Sequence, residues 1–334
     1  MKSDETILEV RNLKKYFPVR RSLVQMLEGR PADAVHAVDG VSFSMKRGEV
    51  TGLVGESGCG KSSLARVLMN LYPADEGDIL FEGTSIVSRK AGQKNRYGTR
   101  MQMVFQDPYA SLNPRMTIRR MFYEILTVHR ICDRRDLEKT AVRDLEMVGL
   151  GAQVLDSFPG QFSGGQRQRI SIARALSVHP RLLVADEAIT ALDVSIQAQI
   201  INLLLDLRKE LELSMLFISH DLSVVRYLSD QVVVMYLGKI MEIARTEELF
   251  AHPLHPYTRI LLQATPVIGG KTLAKNEGIQ GEPPSPMKIP CGCRFHTRCP
   301  YATQQCRTQE PVPLDAGEGH MVSCWHPQDA EAVK

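Results

Sequence analysis

Residues 55–62, which read GESGCGKS, have the types and spacing needed to hold a chain of phosphates. They match the pattern GxxxxGK[ST], in which glycines allow consecutive backbone N–H groups to surround phosphate oxygens. The helix that follows points its positive end at the same phosphates. We expect Lys61 to reach the β- and γ-phosphates and the Ser62 hydroxyl to bind Mg²⁺. An accidental glycine-rich turn is the alternative, but the match lies between an apolar strand and a helical pattern, as a nucleotide site requires.

An apolar run that ends in two acids supplies a second candidate group. The run RLLVAD spans residues 181–186, and Glu187 follows Asp186 directly. This pattern fits a buried parallel strand that delivers the Asp186 carboxylate to the Mg²⁺ shell. Glu187 is then placed to orient or deprotonate an attacking water. Taken alone, such a run is equally consistent with a structural strand.

A third group precedes a helical pattern at residues 162–166, FSGGQ. A serine and two glycines at a helix N-terminus form another cradle for an anion. Two cradles about a hundred residues apart in one chain favour head-to-tail pairing of two subunits, with each ATP held by both. By itself, SGG would also suit a flexible linker.

The order of these motifs resembles that of the ABC ATPase family over roughly residues 6–250. FSGGQ is similar to the family's signature, usually LSGGQ, with Phe162 in place of Leu. VFQD places Gln106 at the Q-loop, which implies a Mg²⁺ contact and linkage to a transport channel. ALD at 191–193 resembles the D-loop, and ISHD places His220 as the switch histidine that contacts the γ-phosphate.

The motifs and the resemblance together define a predicted nucleotide site. Phe17 stands where the family stacks an aromatic ring on adenine, and Tyr16 is a possible substitute. The family usually has Glu-Pro-Thr or Glu-Pro-Val where this chain has Glu187-Ala188-Ile189, and we expect activity because the carboxylate is kept. Predicted catalytic residues are Glu187, His220 and Gln106, and predicted Mg²⁺ ligands are Ser62, Gln106 and Asp186. Predicted nucleotide contacts are Phe17, Gly55, Glu56, Ser57, Gly58, Cys59, Gly60, Lys61, Ser62, Ser63, Gln106, Ser163, Gly164, Gly165, Gln166 and Asp186.

Two stretches outside the shared motifs resemble one branch of the family. VFQDPYASLNPRMTI and HPLHPYTRILLQATP are typical of the ATPases of oligopeptide, dipeptide and nickel importers. The stretch from FPVRR to AVHAVDGVSF resembles the second ATPase of each pair. The resemblance implies ATP-driven peptide import, with nickel, glutathione or oligosaccharide as alternative cargo and a soluble non-transport ATPase as the rival class.

The resemblance also implies partners. They are a second ABC ATPase, which we expect to be a different chain, two transmembrane permease subunits and an extracytoplasmic substrate-binding protein. We expect the protein at the cytoplasmic face of the inner membrane. Lys and Arg number 41 against 38 Asp and Glu, and this near balance argues against a nucleic-acid partner.

The cysteines are unevenly distributed. Five of the seven lie at or after position 291, and four have the spacing C-x5-C-x6-C-x17-C. This pattern resembles the C-terminal motif of the same branch and implies a [4Fe–4S] cluster held by Cys293, Cys299, Cys306 and Cys324. Four cysteines are the right number and type of ligand. A Cys₄ zinc site and unligated thiols are the alternatives. We expect Cys59 to be a small residue of the phosphate loop that points away from the phosphate, with a thiol made reactive by the helix N-terminus as the alternative.

Elements of secondary structure must position these residues. The patterns predict strands at 6–13, 34–45, 49–54, 181–186 and 214–219, helices at about 166–178, 194–212 and 221–229, and a β hairpin at 231–244. Strands that alternate with helices predict an α/β fold with a largely parallel sheet, in a chain with 43% hydrophobic residues and no apolar run long enough to span a bilayer.

The resemblance refines this architecture to a P-loop NTPase core of the ABC ATPase type, with an antiparallel β subdomain and a helical subdomain. We expect the nucleotide-binding domain at 1–250, its helical subdomain at about 107–165, and a loop insertion at 18–33. A small Cys-rich C-terminal module of regulatory or oligopeptide-transporter type is expected at 251–334.

Overall fold

The computed structural model describes residues 5–19, 33–87, 97–190, 192–263 and 282–328. Most of the predicted insertion at 18–33 and Ala191 of the predicted D-loop lie outside the described residues. The described residues form two compact units: the first unit is drawn from 1–7, 46–50 and 89–218, and the second unit from 8–45, 51–88 and 219–334.

Strands and helices alternate one by one over residues 164–236. The strands are β1 (Thr6–Pro18), β2 (Ala34–Lys46), β3 (Val50–Val54), β4 (Glu76–Phe81), β5 (Thr84–Ser85), β6 (Met101–Val104), β7 (Leu182–Asp186), β8 (Ser214–Ile218), β9 (Gln231–Tyr236), β10 (Lys239–Arg245), β11 (Leu314–Asp315) and β12 (Met321–Val322). The α-helices are α1 (Lys61–Leu68), α2 (Pro108–Ser111), α3 (Ile118–Val128), α4 (Leu137–Glu146), α5 (Gly164–Leu176), α6 (Val194–Leu211), α7 (Leu222–Leu228), α8 (Thr246–Ala251), α9 (Pro256–Gln263) and α10 (Gln304–Thr308). In the part of the chain that the structure covers, no helix combines the length and the apolar character that crossing a membrane requires.

An antiparallel sheet in the second unit has the strand order β2-β1-β4-β5. Strand β1 pairs with β4 in the register Leu8↔Phe81, and this register shifts between Arg11 and Lys14. Asn12 lies at the shift with a φ of 45°. The alternation of buried and exposed residues along β1 and β4 gives the sheet one apolar face. The predictions of an antiparallel sheet and of an α/β fold are both confirmed.

A second sheet region of the same unit positions the phosphate loop. Its strand order is β11-β12-β10-β9-β3, and β3 runs parallel to β9. All five residues of β3 are buried, as the continuous apolar run predicted. Helix α7 packs closely on β3 at Gly52, where an added Cβ would lie 2.5 Å from Val225 Cγ1 and 2.7 Å from Ser229 Oγ. The strand before the phosphate loop and the helix after His220 are therefore fitted to each other.

Three parallel strands form the sheet region of the first unit, in the order β8-β7-β6. The residues of β7 and β8 are all buried. Val104 pairs with Ala185, so β6 and β7 end at the same edge. Residues that follow the carboxyl ends of these neighbouring strands are thereby brought together.

The described C-terminal residues lie within the second unit. Strand β12 pairs antiparallel with β10. Glu242 of β10 is fully buried, and its carboxylate accepts hydrogen bonds from the Leu254 N–H at 2.7 Å and the His255 N–H at 3.0 Å. The same carboxylate lies 2.7 Å from His320 Nε2. The buried carboxylate of Glu242 therefore links β10 to the segment at residues 254–255 and to His320. The domain boundary expected at 250/251 stays a prediction.

The contact at Gly52 yields a prediction about stability. In Gly52→Ala the new methyl group has no room against Val225 and Ser229, so β3 and α7 must move apart. Overpacking of this kind lowers the free energy of unfolding by about 1–3 kcal/mol. Thermal or urea unfolding of the purified protein measures the change.

Gly160→Ala is the matched control, because a Cβ at Gly160 would meet no atom within 4 Å. We expect it to unfold like the wild type within about 0.5 kcal/mol. Equal stabilities for Gly52→Ala and Gly160→Ala would contradict the close packing of α7 on β3.

Candidate functional site

The phosphate loop is held against the backbone of two strands in the second unit. An added Cβ at Gly55, whose φ is 151°, would lie 2.1 Å from the Met235 carbonyl oxygen in β9. An added Cβ at Gly60, whose φ is 111°, would lie 2.0 Å from the Ala37 carbonyl oxygen in β2. No other residue type fits at either position. The motif glycines are thus required by packing as well as by approach to phosphate.

Lys61 lies across this loop. Its Nζ donates hydrogen bonds to the carbonyl oxygens of Gly55 at 2.7 Å and Glu56 at 2.9 Å, and only 4% of the residue is exposed. Cys59 is also buried, with its Sγ 3.7 Å from Lys61 Nζ. Burial raises the pKa of the Cys59 thiol, an effect that the Lys61 charge opposes. Cys59 is therefore a buried residue of the loop, and its orientation relative to the phosphate stays a prediction.

The remaining loop residues differ in exposure. Ser57 and Gly58 are exposed at the tip of the loop, whereas Ser62 and Ser63 are half-buried in the first turn of α1. The backbone N–H of Glu56 donates to the Tyr257 hydroxyl at 2.9 Å. Because that N–H is used within the protein, we expect the backbone of Glu56 to support the loop rather than to bind phosphate.

The predicted adenine and γ-phosphate contacts also lie in the second unit. The Phe17 ring packs edge-on against Tyr72 at 5.2 Å between centroids. The Tyr16 hydroxyl donates a hydrogen bond to Asp39 Oδ1 at 2.6 Å, so Tyr16 is held by a contact within the protein. His220 is exposed and directly precedes Asp221, whose carboxylate caps α7 by accepting from the Ser223 N–H at 2.9 Å. Adenine stacking by Phe17 and γ-phosphate contact by His220 stay predictions.

The first unit brings together two predicted catalytic residues. Gln106 follows β6 and Glu187 follows β7, and the side-chain Nε2 of Gln106 donates to Glu187 Oε2 at 2.6 Å. Asp186, the last residue of β7, is 2% exposed. The amide and the carboxylate meet because their parallel strands end at one edge of the sheet.

The backbone at Glu187 has an unusual conformation. Its φ is 48°, in the left-handed region that residues with a side chain rarely adopt. The Glu187 N–H donates to the Ile218 carbonyl, and the Glu187 carbonyl accepts from Thr190 Oγ1 at 3.0 Å. Ala188 and Ile189, which depart from the family pattern, are 3% and 2% exposed. Their apolar side chains are therefore buried beneath the turn that presents Glu187.

The signature residues form the start of α5. Ser163 Oγ accepts from the Gln166 N–H at 3.3 Å, and Gln166 Oε1 accepts from the Ser163 N–H at 3.0 Å. This reciprocal capping box fixes the helix N-terminus. A Cβ added at Gly165 would lie 2.6 Å from Ile196 Cγ2, and one added at Gly164 would lie 3.3 Å from Leu192. The side chains of Ser163 and Gln166 thus stabilise the N-terminus of α5. The absence of a side chain at Gly165 leaves room for Ile196 of α6 beside it.

Helix α5 also contacts the segment after Gln106. The Arg167 guanidinium lies over the Tyr109 ring at 3.6 Å from its centroid and donates to the Phe162 carbonyl. Arg174 donates to the Ser111 carbonyl, and Ser111 Oγ lies 3.0 Å from Ser171 Oγ. These contacts therefore join the segment after Gln106 to the signature helix.

The C-terminal cysteines require a correction. Among the described residues, no group of three or more His, Cys, Asp or Glu side chains is arranged to hold a metal ion. Burial raises the pKa of Cys299 to about 11 and that of Cys324 to about 12, so both side chains are neutral thiols at neutral pH. The prediction of a [4Fe–4S] cluster on Cys293, Cys299, Cys306 and Cys324 is therefore wrong for the described part of the chain. The same finding removes the zinc alternative.

Comparison with known proteins agrees with the motifs. The ABC transporter family matches residues 38–190. The oligopeptide transport ATP-binding protein AppF of Bacillus subtilis is 51% identical over 326 residues, which are 96% of this chain and 98% of that protein. The chain belongs to the ABC transporter ATP-binding proteins. ATP hydrolysis, predicted from the phosphate loop and the acid pair, follows from this membership.

Further matches support the same family and extend to the C-terminal residues. The family described as oligopeptide/dipeptide transporter, C-terminal region, matches residues 241–306. A second Bacillus subtilis relative, which bears the name "Putative oligopeptide transport ATP-binding protein YkfD", is 46% identical over 97% of both chains. The solved structure of cbiO1 from Clostridium perfringens is similar with a TM-score of 0.61 and 28% identity, covering 74% of this chain and 92% of that one. These matches confirm the predicted ABC ATPase fold.

Sequence reasoning missed two arginines that contact the nucleotide region. Arg298 forms a bidentate ion pair with Glu56, and Arg294 pairs with Asp39. Both arginines lie among the C-terminal cysteines, whose spacing predicted a metal site instead. No local pattern reveals a partner more than 240 residues away, so only the fold identifies these contacts.

The hydrogen bond between Gln106 and Glu187 yields a second prediction. In Gln106→Glu a carboxylate replaces the donor that lies 2.6 Å from Glu187 Oε2. Two carboxylates this close cannot both ionise, so the pair retains a proton to higher pH. We expect ATPase activity of the assembled complex at pH 7 to fall about tenfold or more, as for loss of a general base. The acid limb of the pH–rate profile should move to higher pH.

Gln304→Glu makes the same charge change at an exposed position of α10 and serves as control. We expect its pH–rate profile to match that of the wild type. An unshifted acid limb in Gln106→Glu would show that the pairing with Glu187 has no part in the reaction.

Proposed function

We propose that this chain is the ATP-hydrolysing subunit of an ABC importer for dipeptides and oligopeptides. One observation carries the proposal: the ABC core and the oligopeptide/dipeptide transporter C-terminal region are matched in the same chain. Relatives named as oligopeptide transport ATP-binding proteins cover nearly its whole length. In such an importer the cargo is chosen by the binding protein and the permease. The assignment of peptides as cargo is therefore based on the names of these relatives.

The phosphate loop and the acid pair support binding of ATP with Mg²⁺. Ser62, Gln106 and Asp186 offer a hydroxyl, an amide oxygen and a carboxylate, and hard oxygen ligands of this kind suit Mg²⁺. Bound Mg²⁺ would neutralise phosphate charge. Lys61 would leave the loop carbonyls that it now contacts and bind phosphate oxygens instead.

Hydrolysis is assigned to Glu187, with Gln106 and His220 in support. Glu187 would accept a proton from the attacking water or orient it. The amide of Gln106 holds the Glu187 carboxylate at 2.6 Å, which limits the directions in which it can point. His220 would contact the γ-phosphate and report its presence. The left-handed backbone at Glu187 is typical of residues held in place for function.

The signature at Ser163–Gln166 is assigned to the ATP held by a partner ATPase. Its capped helix N-terminus offers backbone N–H groups to phosphate. The assembly would contain two ATPases, which we propose to be different chains, two transmembrane permease subunits and an extracytoplasmic binding protein. The ATPase would lie at the cytoplasmic face of the inner membrane, with its nucleotide-binding domain in residues 1–250 and a C-terminal module in 251–334.

A third prediction tests the role of Glu187. Glu187→Gln keeps the size of the side chain but removes the group that can accept a proton. We expect ATP binding to persist and ATPase activity of the assembled complex to fall about 100-fold or more. Uptake of labelled dipeptides and oligopeptides into cells that carry the variant should fall with it, and labelled nickel is measured in parallel.

Glu210→Gln, at an exposed position of α6, is the matched control and should leave uptake unchanged. Near-normal ATPase activity in Glu187→Gln would overturn the assignment of the carboxylate. Loss of nickel uptake with peptide uptake intact would support the ATPase assignment and would make nickel, not peptide, the cargo. If neither cargo responds, glutathione and oligosaccharide are the next to test, followed by a soluble role without transport.

A further inference from the structure

Glu56 places a negative charge within the phosphate loop. Its Oε2 lies 2.8 Å from Arg298 Nη1, and its Oε1 lies 3.1 Å from Arg298 Nη2. The Arg298 side chain is 6% exposed and that of Glu56 is 21% exposed. A bidentate pair of arginine and carboxylate has a specific geometry, and its charged hydrogen bonds are strong when both side chains are largely buried, as here. The loop residue is therefore paired with one defined guanidinium from the C-terminal region.

The same stretch of the loop is held through its backbone. The Glu56 N–H donates to the Tyr257 hydroxyl at 2.9 Å. Tyr257 is fully buried and packs against Tyr236 at 4.7 Å and Phe295 at 5.3 Å between ring centroids. Arg298 Nη1 also donates to the Tyr236 hydroxyl at 3.2 Å. An aromatic cluster thus links Glu56 to the stretch that contains Phe295 and Arg298.

A second arginine of this stretch contacts the adenine side of the unit. Arg294 donates to Asp39 and to the Leu237 carbonyl. The other Asp39 oxygen, Oδ1, accepts from the Tyr16 hydroxyl at 2.6 Å. Tyr16 precedes Phe17, the predicted adenine contact. Residues 293–298 therefore touch both ends of the region where ATP is expected.

Electrostatics indicates what the Arg298 contact does. ATP brings several negative charges to a loop that already contains the Glu56 carboxylate. Like charges in a poorly hydrated site repel each other strongly, whereas a paired carboxylate contributes little field. Arg298 neutralises the Glu56 charge and fixes the position of its side chain. Without Arg298, the same carboxylate would oppose phosphate binding.

We propose that Arg298 is a positioning residue for ATP, through which the C-terminal segment (residues 282–328) sets the nucleotide affinity of the phosphate loop. The inference rests on the proposed ATPase function and adds a residue to it. Arg298 acts on ATP through Glu56 and does not itself contact the nucleotide. An intact C-terminal segment is then a condition for tight ATP binding, in addition to any part it has in assembly.

The test measures nucleotide affinity in the purified full-length chain. ATP and ADP displace a fluorescent trinitrophenyl-ATP from wild type and Arg298→Ala, with thermal unfolding recorded for each. We expect the dissociation constant for ATP to rise about tenfold in Arg298→Ala, a typical size for coupling between linked sites. The rise should be smaller for ADP, which has fewer charges, and the KM for ATP should rise more than kcat falls.

Two further variants separate charge from structure. Arg298→Ala/Glu56→Gln removes the unpaired carboxylate, and we expect its ATP affinity to return to within about threefold of the wild type. Arg298→Lys keeps the charge without the bidentate geometry and should fall between wild type and Arg298→Ala. Arg307→Ala removes an exposed arginine of α10 and is the matched control.

Each outcome has a distinct meaning. Failure of the wild type to bind nucleotide would defeat the proposed function itself. Equal ATP affinity in wild type and Arg298→Ala would overturn only the role of Arg298. A weakened Arg298→Ala that Glu56→Gln does not rescue would assign Arg298 to folding and overturn the charge mechanism. If Arg298→Ala does not fold, Arg298→Lys decides in its place, and wild-type affinity there would count against the proposal.

Discussion

The close approach of two strand backbones to the phosphate loop is the constraint on which the nucleotide region depends. Met235 of β9 and Ala37 of β2 leave no room for a Cβ at Gly55 or Gly60. The loop is therefore shaped before any phosphate arrives, because its glycines are pressed against fixed carbonyl groups. Preorganisation of this kind reduces the conformational entropy that binding must otherwise overcome. The sheet order of the second unit, in which β3 lies beside β9, is what makes the approach possible.

The first unit positions its chemistry by a different route. Here the decisive feature is strand ends that share an edge, since this arrangement brings the side chains of Gln106 and Glu187 together. The exposed Gln106 and the strained Glu187 are held by one short hydrogen bond. Arg167 and Arg174 then tie the segment after Gln106 to the helix that begins at the signature. The phosphate loop is thus fixed by close backbone packing, whereas Gln106 and Glu187 are joined by a hydrogen bond between their side chains.

Local patterns predicted most elements, because burial in a parallel sheet leaves continuous apolar runs such as those of β3, β7 and β8. Strand β1 extends to Pro18, five residues beyond the prediction, because the shift near Asn12 hides its alternation. The phosphate loop and acid pair were readable because phosphate chemistry fixes residue types and spacing. The pairing of Arg298 with Glu56 was not, since it depends on tertiary structure alone. Cysteine spacing predicted a metal cluster wrongly, because spacing along the sequence does not by itself arrange side chains with the geometry that a metal ion requires.

The sequence separation of that pairing has a consequence for how the protein is made. Glu56 and Arg298 are 242 positions apart, so the loop leaves the ribosome long before its guanidinium partner. Contacts between residues far apart in the sequence form slowly, and domains generally fold as their residues leave the ribosome. During most of its synthesis the nascent chain therefore contains a phosphate loop with an uncompensated carboxylate. On the proposed role of Arg298, full affinity for ATP is reached only after residue 298 has been made, and a product truncated before it should bind ATP more weakly.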